Sequence, residues 1–414
     1  MCSSDLAEAL SLTLTDDRAG RSWQVGDGRL VIDNQPQAIL AELSVTLLDR
    51  VTPTQANLTL ISAKTGGAAR MGVRVDAIAA GDLAAMAPPL AWLGAVDAPI
   101  SGEMTAIIAE SGALSSLSAD LSLAAGSLSP GNGARPIGFD RATLSLGYDP
   151  ASARLTLRDL AVESTTLRLR AEGHGDLVSA EGAPMAAGDL PASVLAQIAL
   201  SDVSLDPEGQ FDEPVHFGQG ALDLRLHLDP FQVEIGQLSL VEGDERLLLS
   251  GEVQADAGGW GGALDVALNQ IATDRLLKVW PLSAVPKTRI WFAANVGEGM
   301  LFNVRAGLRL QPGGQPQFSL GYEFSGAVAR FVRTLPPILD GRGHATLENK
   351  TYTVTLDKGH VIAPEGGEIQ ADGTVFQILD ITQRPAMAKI DLVSSSSLLA
   401  TLSLLDQEPF SFFS

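Results

Sequence analysis

The chain has 414 residues, 45% of them hydrophobic, and its acids exceed its bases by 21. That apolar content excludes wholesale disorder, and the acidic balance makes the chain a poor candidate for wrapping nucleic acid, which needs clustered Lys and Arg against the phosphates. One cysteine, Cys2, excludes an intrachain disulfide framework and any cysteine-based metal site.

Alternating sequence begins almost at once, at Leu10, Leu12 and Leu14. The first helical candidate is Asp82 to Leu93. The most apolar stretch, Leu83 to Ile100, is interrupted by Pro88-Pro89, Asp97 and Pro99, and no run reaches the ~18 apolar residues of a membrane span. Further on, period two dominates: Leu155 and Leu157, Leu167, Leu169 and Ala171, then Leu222, Leu224, Leu226 and Leu228. Val304 to Leu310 and Thr353 to Asp357 read the same way. Alternate residues of a strand point to opposite faces, so each strand is predicted to have one apolar and one polar face, as in an antiparallel sheet. Turn signals separate the strands at Gly131-Asn132-Gly133, Asp149-Pro150, Gly258-Gly259, Gly313-Gly314 and Glu365-Gly366-Gly367. Two more short helices are predicted, Thr273 to Leu282 and Ser394 to Leu405, with Thr273 and Ser394 to Ser397 as N-caps.

An internal repeat organises the middle of the chain. Pro136 to Gly173 overlies Pro214 to Gly251 at a constant offset of 78 (214 − 136), without a gap. Phe139 falls on Phe217, Leu144 on Leu222, Leu146 on Leu224, Leu155 on Val233, Leu157 on Ile235 and Gly173 on Gly251. A looser copy, Pro337 to Gly373, brings Leu347, Val354 and Leu356 into corresponding places. The predicted organisation is a β-rich end of a preceding module over 1–80, a β module over 81–270 carrying the tandem repeat, and a β module with short helices over 271–414. The start (Met1 to Leu10) has no basic segment and no apolar run, so no signal peptide is predicted. Both ends look cut, which predicts a piece of a longer protein.

Catalytic and metal signatures are not found. The five histidines have no H-x-x-x-H spacing, there is no G-x-S-x-G, and no G-K-[ST] phosphate loop. No catalytic residue, metal or cofactor is nominated. From Arg275 to Arg342 nine bases face three acids, giving +6 in a chain whose remainder is −27. Trp280 and Trp291 bracket Lys287 and Arg289 there. A helix packing its rings onto the sheet explains them; an aromatic and basic collar at lipid headgroups is the functional reading.

Certain phrases resemble the AsmA-like family of Gram-negative envelope proteins, closest to the YhdP-like branch. They are Asp274-Arg275-Leu276-Leu277-Lys278-Val279-Trp280-Pro281, Arg289-Ile290-Trp291, Val296-Gly297-Glu298-Gly299, Leu335-Pro336-Pro337-Ile338, and Ala363 to Gly367. Gly341, Gly343 and Asp97-Ala98-Pro99-Ile100-Ser101-Gly102 add to them. The resemblance implies a long, curved, repetitive antiparallel β-sheet whose apolar groove carries phospholipid between inner and outer membranes, in the periplasm. It implies a parent protein anchored in the inner membrane by an N-terminal helix, and no enzymatic activity or cofactor.

The residues reach a compatible place unaided. A one-sided apolar sheet must bury that side, and the helices are too few to cover it. A curled sheet would leave a trough lined by Leu144, Leu146, Leu155, Leu157, Leu222, Leu224, Val233, Ile235, Leu347, Val354 and Leu356. Lys287, Arg289, Arg305 and Arg309 are the candidates for a rim that meets lipid headgroups. The alternatives are a non-enzymatic β scaffold or adhesin with a side-chain-filled core, an enzyme on a repetitive β frame, and an outer-membrane barrel, which three tyrosines and five tryptophans disfavour.

Overall fold

The computed structural model describes residues 3–16, 21–48, 54–86, 88–129, 136–186, 189–206, 209–256, 258–283, 285–383, 385 and 387–412. Cys2 and the turn expected at 131–133 lie outside the described residues. The protein is mostly β. Among the described residues twenty-three strands belong to one antiparallel sheet that is not closed into a barrel, and a few short helices punctuate it. The chain divides into two compact units, one of 1–204, 219–236 and 252–261, the other of 205–218, 237–251 and 262–414.

The first unit opens with strands β1 (Ser3–Asp16), β2 (Arg21–Asn34), β3 (Ala38–Leu47), β4 (Thr54–Ala63) and β5 (Ala69–Ala79). Helix α1 (Ala80–Met86), a 3-10 segment (Pro88–Ala95) and β6 (Val96–Asp97) follow, then β7 (Pro99–Ile108) and β8 (Leu114–Leu123). Next come β9 (Gly126–Leu128), β10 (Ile137–Phe139), β11 (Arg141–Asp149), β12 (Arg154–Glu163), β13 (Leu167–Val178) and β14 (Ser193–Leu205). Each long strand from β1 to β13 pairs antiparallel with the next long strand in sequence. The short β6, β9 and β10 form a separate three-stranded sheet. The core is continuous across residue 80: Val25, Val45, Val75 and Ile78 share it with Leu83, Leu90, Leu121 and Leu144.

Strands β15 (Val215–His227), β16 (Gln232–Glu242), β17 (Glu245–Asp256) and β18 (Gly259–Ala272) contribute residues to both units. The second unit continues with helices α2 (Thr273–Val279) and α3 (Pro286–Asn295), then β19 (Met300–Leu310), β20 (Gln317–Ala329), β21 (Ile338–Glu348) and β22 (Thr351–Ile362). Strands β23 (Glu368–Gln370), β24 (Thr374–Ile378), β25 (Ala388–Asp391), β26 (Ser395–Ser396) and helix α4 (Leu398–Leu405) end it.

The strand bounds reproduce the repeat. Strand β13 runs 167–178 and β17 runs 245–256, and β12 and β16 start at 154 and 232. Burial alternates in the same phase in β11 and in the matching part of β15. It is interrupted at the same place in β12 and β16, where Arg158-Asp159 and Gly236-Gln237 are adjacent exposed pairs. The Phe139–Phe217 match does not extend to structure. Phe139 sits in β10 of the small sheet, Phe217 in β15 of the large one, so the structural repeat begins at Arg141. The third copy keeps its first two strands, but its third is split into β23 and β24, which pair with opposite halves of β22.

Ser397 caps α4, its hydroxyl accepting from the Ala400 N–H at 3.1 Å. Thr273 does not cap α2; Ala272 holds the N-cap position, and the Thr273 hydroxyl donates to the Gly297 carbonyl at 2.6 Å.

Candidate functional site

Register turns the alternation of single strands into continuous rows. In the first unit Leu30 lies opposite Leu43, Leu43 opposite Leu58, and Leu58 opposite Val73. Val73 pairs with Met104, Met104 with Ala119, Ala119 with Leu146 and Leu146 with Leu157. Directly paired residues share a face, so this row is apolar across eight strands. The adjacent row on the other face is polar: Arg29, Ser44, Asn57, Arg74, Glu103, Asp120, Ser145 and Asp159 pair in the same succession. Arg74 pairs with Glu103, the Ser145 hydroxyl donates to Asp120 at 2.5 Å, and Arg158 Nε donates to Ser145 at 3.1 Å.

The apolar face differs between its two ends. Helix α1, the 3-10 segment and the three-stranded sheet are all inserted at one strand end, after β5 and after β8. There Ile78, Ile100, Leu123 and Ala142 are buried in one core with Leu83, Leu90 and Leu93. At the other end the strands turn back as hairpins with no helix inserted. Leu60, one turn-ward step from Leu58 on the same face, is 38% exposed, and Ile39 nearby is also exposed.

Of the proposed lining residues in this unit, Leu144, Leu146 and Leu155 are buried and Leu157 is half-buried. All four share one face, since Leu146 pairs with Leu157 and Leu155 pairs with Tyr148. Leu222, Leu224, Val233 and Ile235 are half-buried. Glu234 lies 3.8 Å from Arg225 and 3.1 Å from His227, which sets those three on the polar face and leaves Leu224, Val233 and Ile235 on the other.

In the second unit Val266, Ala306, Leu320, Leu347, Tyr352 and Ile378 form a comparable row. Beside it run Tyr322, Ala345, Val354 and Phe376. Leu347, Val354 and Leu356 therefore share a face with two tyrosines, whose hydroxyls meet at 2.6 Å. Burial pushes the pKa of Tyr352 above its ordinary value, and that of Tyr322 well above it, the neighbouring phenol adding to the shift at Tyr322.

The four rim candidates are not brought together. Arg305 lies mid-strand and Arg309 near the end of β19, opposite Ala267 and Ala263, on the polar face, where Arg309 holds Asp265 at 2.7 Å. Lys287 and Arg289 are on α3, which begins with Pro286 at its first turn. Arg289 turns inward and its side chain is 14% exposed. It donates to the carbonyls of Leu277 at 3.0 Å and Trp280 at 3.3 Å, and pairs with Asp212. Lys287 stays exposed. Trp280, at the C-cap of α2, packs on Phe292 of α3 at 5.8 Å, so its ring joins two helices rather than a helix and the sheet.

Among the described residues no group of three or more His, Cys, Asp or Glu could hold a metal ion, and no helix is long and apolar enough to cross a membrane. The arrangement offers an extended apolar surface with few polar interruptions. Its chemistry is that of burial, which acts on alkyl chains without requiring particular partners. Comparison with protein-family models, with curated proteins and with solved structures finds no match to this chain.

Proposed function

We propose that the chain is a segment of a lipid-transfer protein whose apolar sheet face conducts phospholipid acyl chains. The observation that carries this reading is the unbroken apolar row from Leu30 to Leu157, capped by helix at one strand end and exposed at the other. A row without hydrogen-bonding groups takes up alkyl chain at about 0.8 kcal/mol per CH2, and its uniformity keeps that energy similar from strand to strand. Cargo can then move along the row without a deep trap. The setting that goes with it is the periplasm, with phospholipid passing between inner and outer membranes in support of outer-membrane biogenesis. In this reading the parent protein is anchored in the inner membrane by an N-terminal helix.

Native mass spectrometry of the purified chain tests the reading. Phospholipid masses on the folded protein are expected. A photo-crosslinking residue at Leu60 or Leu224 should capture acyl chain, and Leu224→Glu should abolish capture, because an unpaired carboxylate in an apolar path is costly. No lipid on the protein, together with unchanged crosslinking in the Glu variant, overturns it.

A second reading is a non-enzymatic scaffold with a filled interior. The full burial of Ala119 and the near-full burial of Leu146 favour it for the part of the row next to Leu157, where the protein's own side chains already meet. The same mass measurement separates the two.

A further inference from the structure

Helix α3 turns one side inward through Arg289 and Phe292. Its other side carries Lys287, Ile290 and Trp291, which are three and four residues apart and so lie on one helical face. Ile290 is 67% and Trp291 39% exposed. The loop after β20 continues this surface. The Trp291 ring lies 5.8 Å from Phe331, and the Arg330 N–H donates to the Asn295 carbonyl at 2.8 Å. Phe331 is 44% exposed and Val332 is exposed beside it. Arg330 and Arg333 flank these two, both exposed. Among the described residues no carboxylate pairs with Lys287, Arg330 or Arg333.

Three cations without carboxylate partners surround exposed aromatic and aliphatic side chains, in a chain of net charge −21. Contiguous exposed apolar side chains rimmed by charge mark an interaction surface. We propose that this surface docks on an anionic lipid bilayer, Trp291 and Phe331 entering the headgroup region while Lys287, Arg330 and Arg333 meet lipid phosphates. Indole rings favour the headgroup level, where an apolar body and a polar N–H are both accommodated, and guanidinium groups match phosphate geometry. The charge complementarity commits the occupant to anionic lipid. This docking does not depend on the apolar sheet face conducting acyl chains.

The test is co-sedimentation of the whole chain with vesicles of phosphatidylcholine alone and of phosphatidylcholine with 30% phosphatidylglycerol, at low and high salt. Binding is expected only to the anionic vesicles and is expected to weaken at high salt. Each cation near a charged bilayer is worth about a fivefold change, so K287Q/R330Q/R333Q should bind roughly a hundredfold more weakly. W291A/F331A should also lose binding. All five side chains are exposed, and thermal unfolding at the parental temperature confirms that both variants fold. Equal binding to the two vesicle types, or undiminished binding by the triple variant, overturns the proposal. Failure of the parent to bind vesicles overturns it too, whether or not the same cations capture an acidic protein. Phe331 also packs on Phe376 of the sheet face at 5.7 Å, so the separation rests on salt and on K287Q/R330Q/R333Q: lipid uptake by the sheet face alone would be insensitive to both, and the two proposals fail separately.

Discussion

Gly173 and Gly251 do the same work 78 residues apart (251 − 173). Both have positive φ, +156° and +136°, and each lies where the next strand's backbone passes closely. A Cβ on Gly173 would stand 2.2 Å from the Gln197 carbonyl oxygen, and one on Gly251 would stand 2.0 Å from that of Ala263. No backbone can yield that much without breaking its ladder, so only glycine fits either place.

Gly173→Ala and Gly251→Ala should each destabilise the protein by roughly 3 kcal/mol, combining a strained dihedral with a backbone clash. Gly321→Ala, whose Cβ would meet nothing closer than 3.9 Å, should change stability by less than about 1 kcal/mol. Denaturant midpoints of the three variants decide this. Equal midpoints would mean that the two glycines are not structurally required.

The two ends of the apolar face should respond differently to truncation. Ile100→Ala removes a fully buried side chain at the capped end and should cost about 2–5 kcal/mol. Leu60→Ala removes an exposed one and should stay within about 0.5 kcal/mol. Thermal unfolding of both variants measures the contrast, and a comparable loss at Leu60 would place that residue in a packed interior.

Arg289 ties two elements together, so its replacement should be felt as stability. The Leu277 carbonyl is one of the last-turn carbonyls of α2 that have no partner within the helix, and Arg289 supplies the donor. Arg289→Ala should cost about 2 kcal/mol, as for hydrogen bonds made by a charged group. Lys287→Gln on the same helix should cost almost nothing. Hydrogen exchange at the end of α2 should rise in the first variant only.

The chain has three tyrosines, Tyr148, Tyr322 and Tyr352, and each ionises above its ordinary value. Burial is the main cause at all three, with the Asp149 charge adding at Tyr148. A phenol that resists ionisation when folded favours the fold as long as the unfolded phenol is neutral too. That contribution is complete below about pH 10, the unfolded value, and is lost as pH rises towards the folded one. Spectrophotometric titration of the native protein should therefore show less phenolate at pH 10 than three exposed tyrosines would give, with Tyr322 the last to ionise. Gradual ionisation near pH 10 with the fold intact would place the hydroxyls in water.

What was legible in the sequence follows from how local each signal is. Period two is a property of one strand, and the matched spacing of 136–173 and 214–251 carried β11 to β13 onto β15 to β17 with their faces in phase. Phe139 misled because a matched residue does not disclose which sheet its strand joins. Helix α3 was missed as an element: over Lys287 to Asn295 apolar and polar residues follow no clear helical stripe, and the one strong signal was Pro286 at its start. The basic stretch was legible as a count. Its partition was not, because whether Arg289 turns inward or Arg330 meets Trp291 depends on a loop and a helix brought together by the fold. The capped and open ends of the apolar face likewise arise from where the insertions after β5 and β8 fall in register.

The succession of pairings in the first unit bears on how the chain assembles. From β1 to β5 every strand finds its partner immediately before it in sequence, and even the insertions only delay the next neighbour. Contacts of such short sequence separation need little loop closure, so each new hairpin can zip onto the edge left by the last. Until the following strand arrives, that edge presents unpaired N–H and C=O groups to any other chain nearby. A protein built this way grows quickly and in order, and it is most vulnerable to misassociation at its own growing edge while synthesis is unfinished.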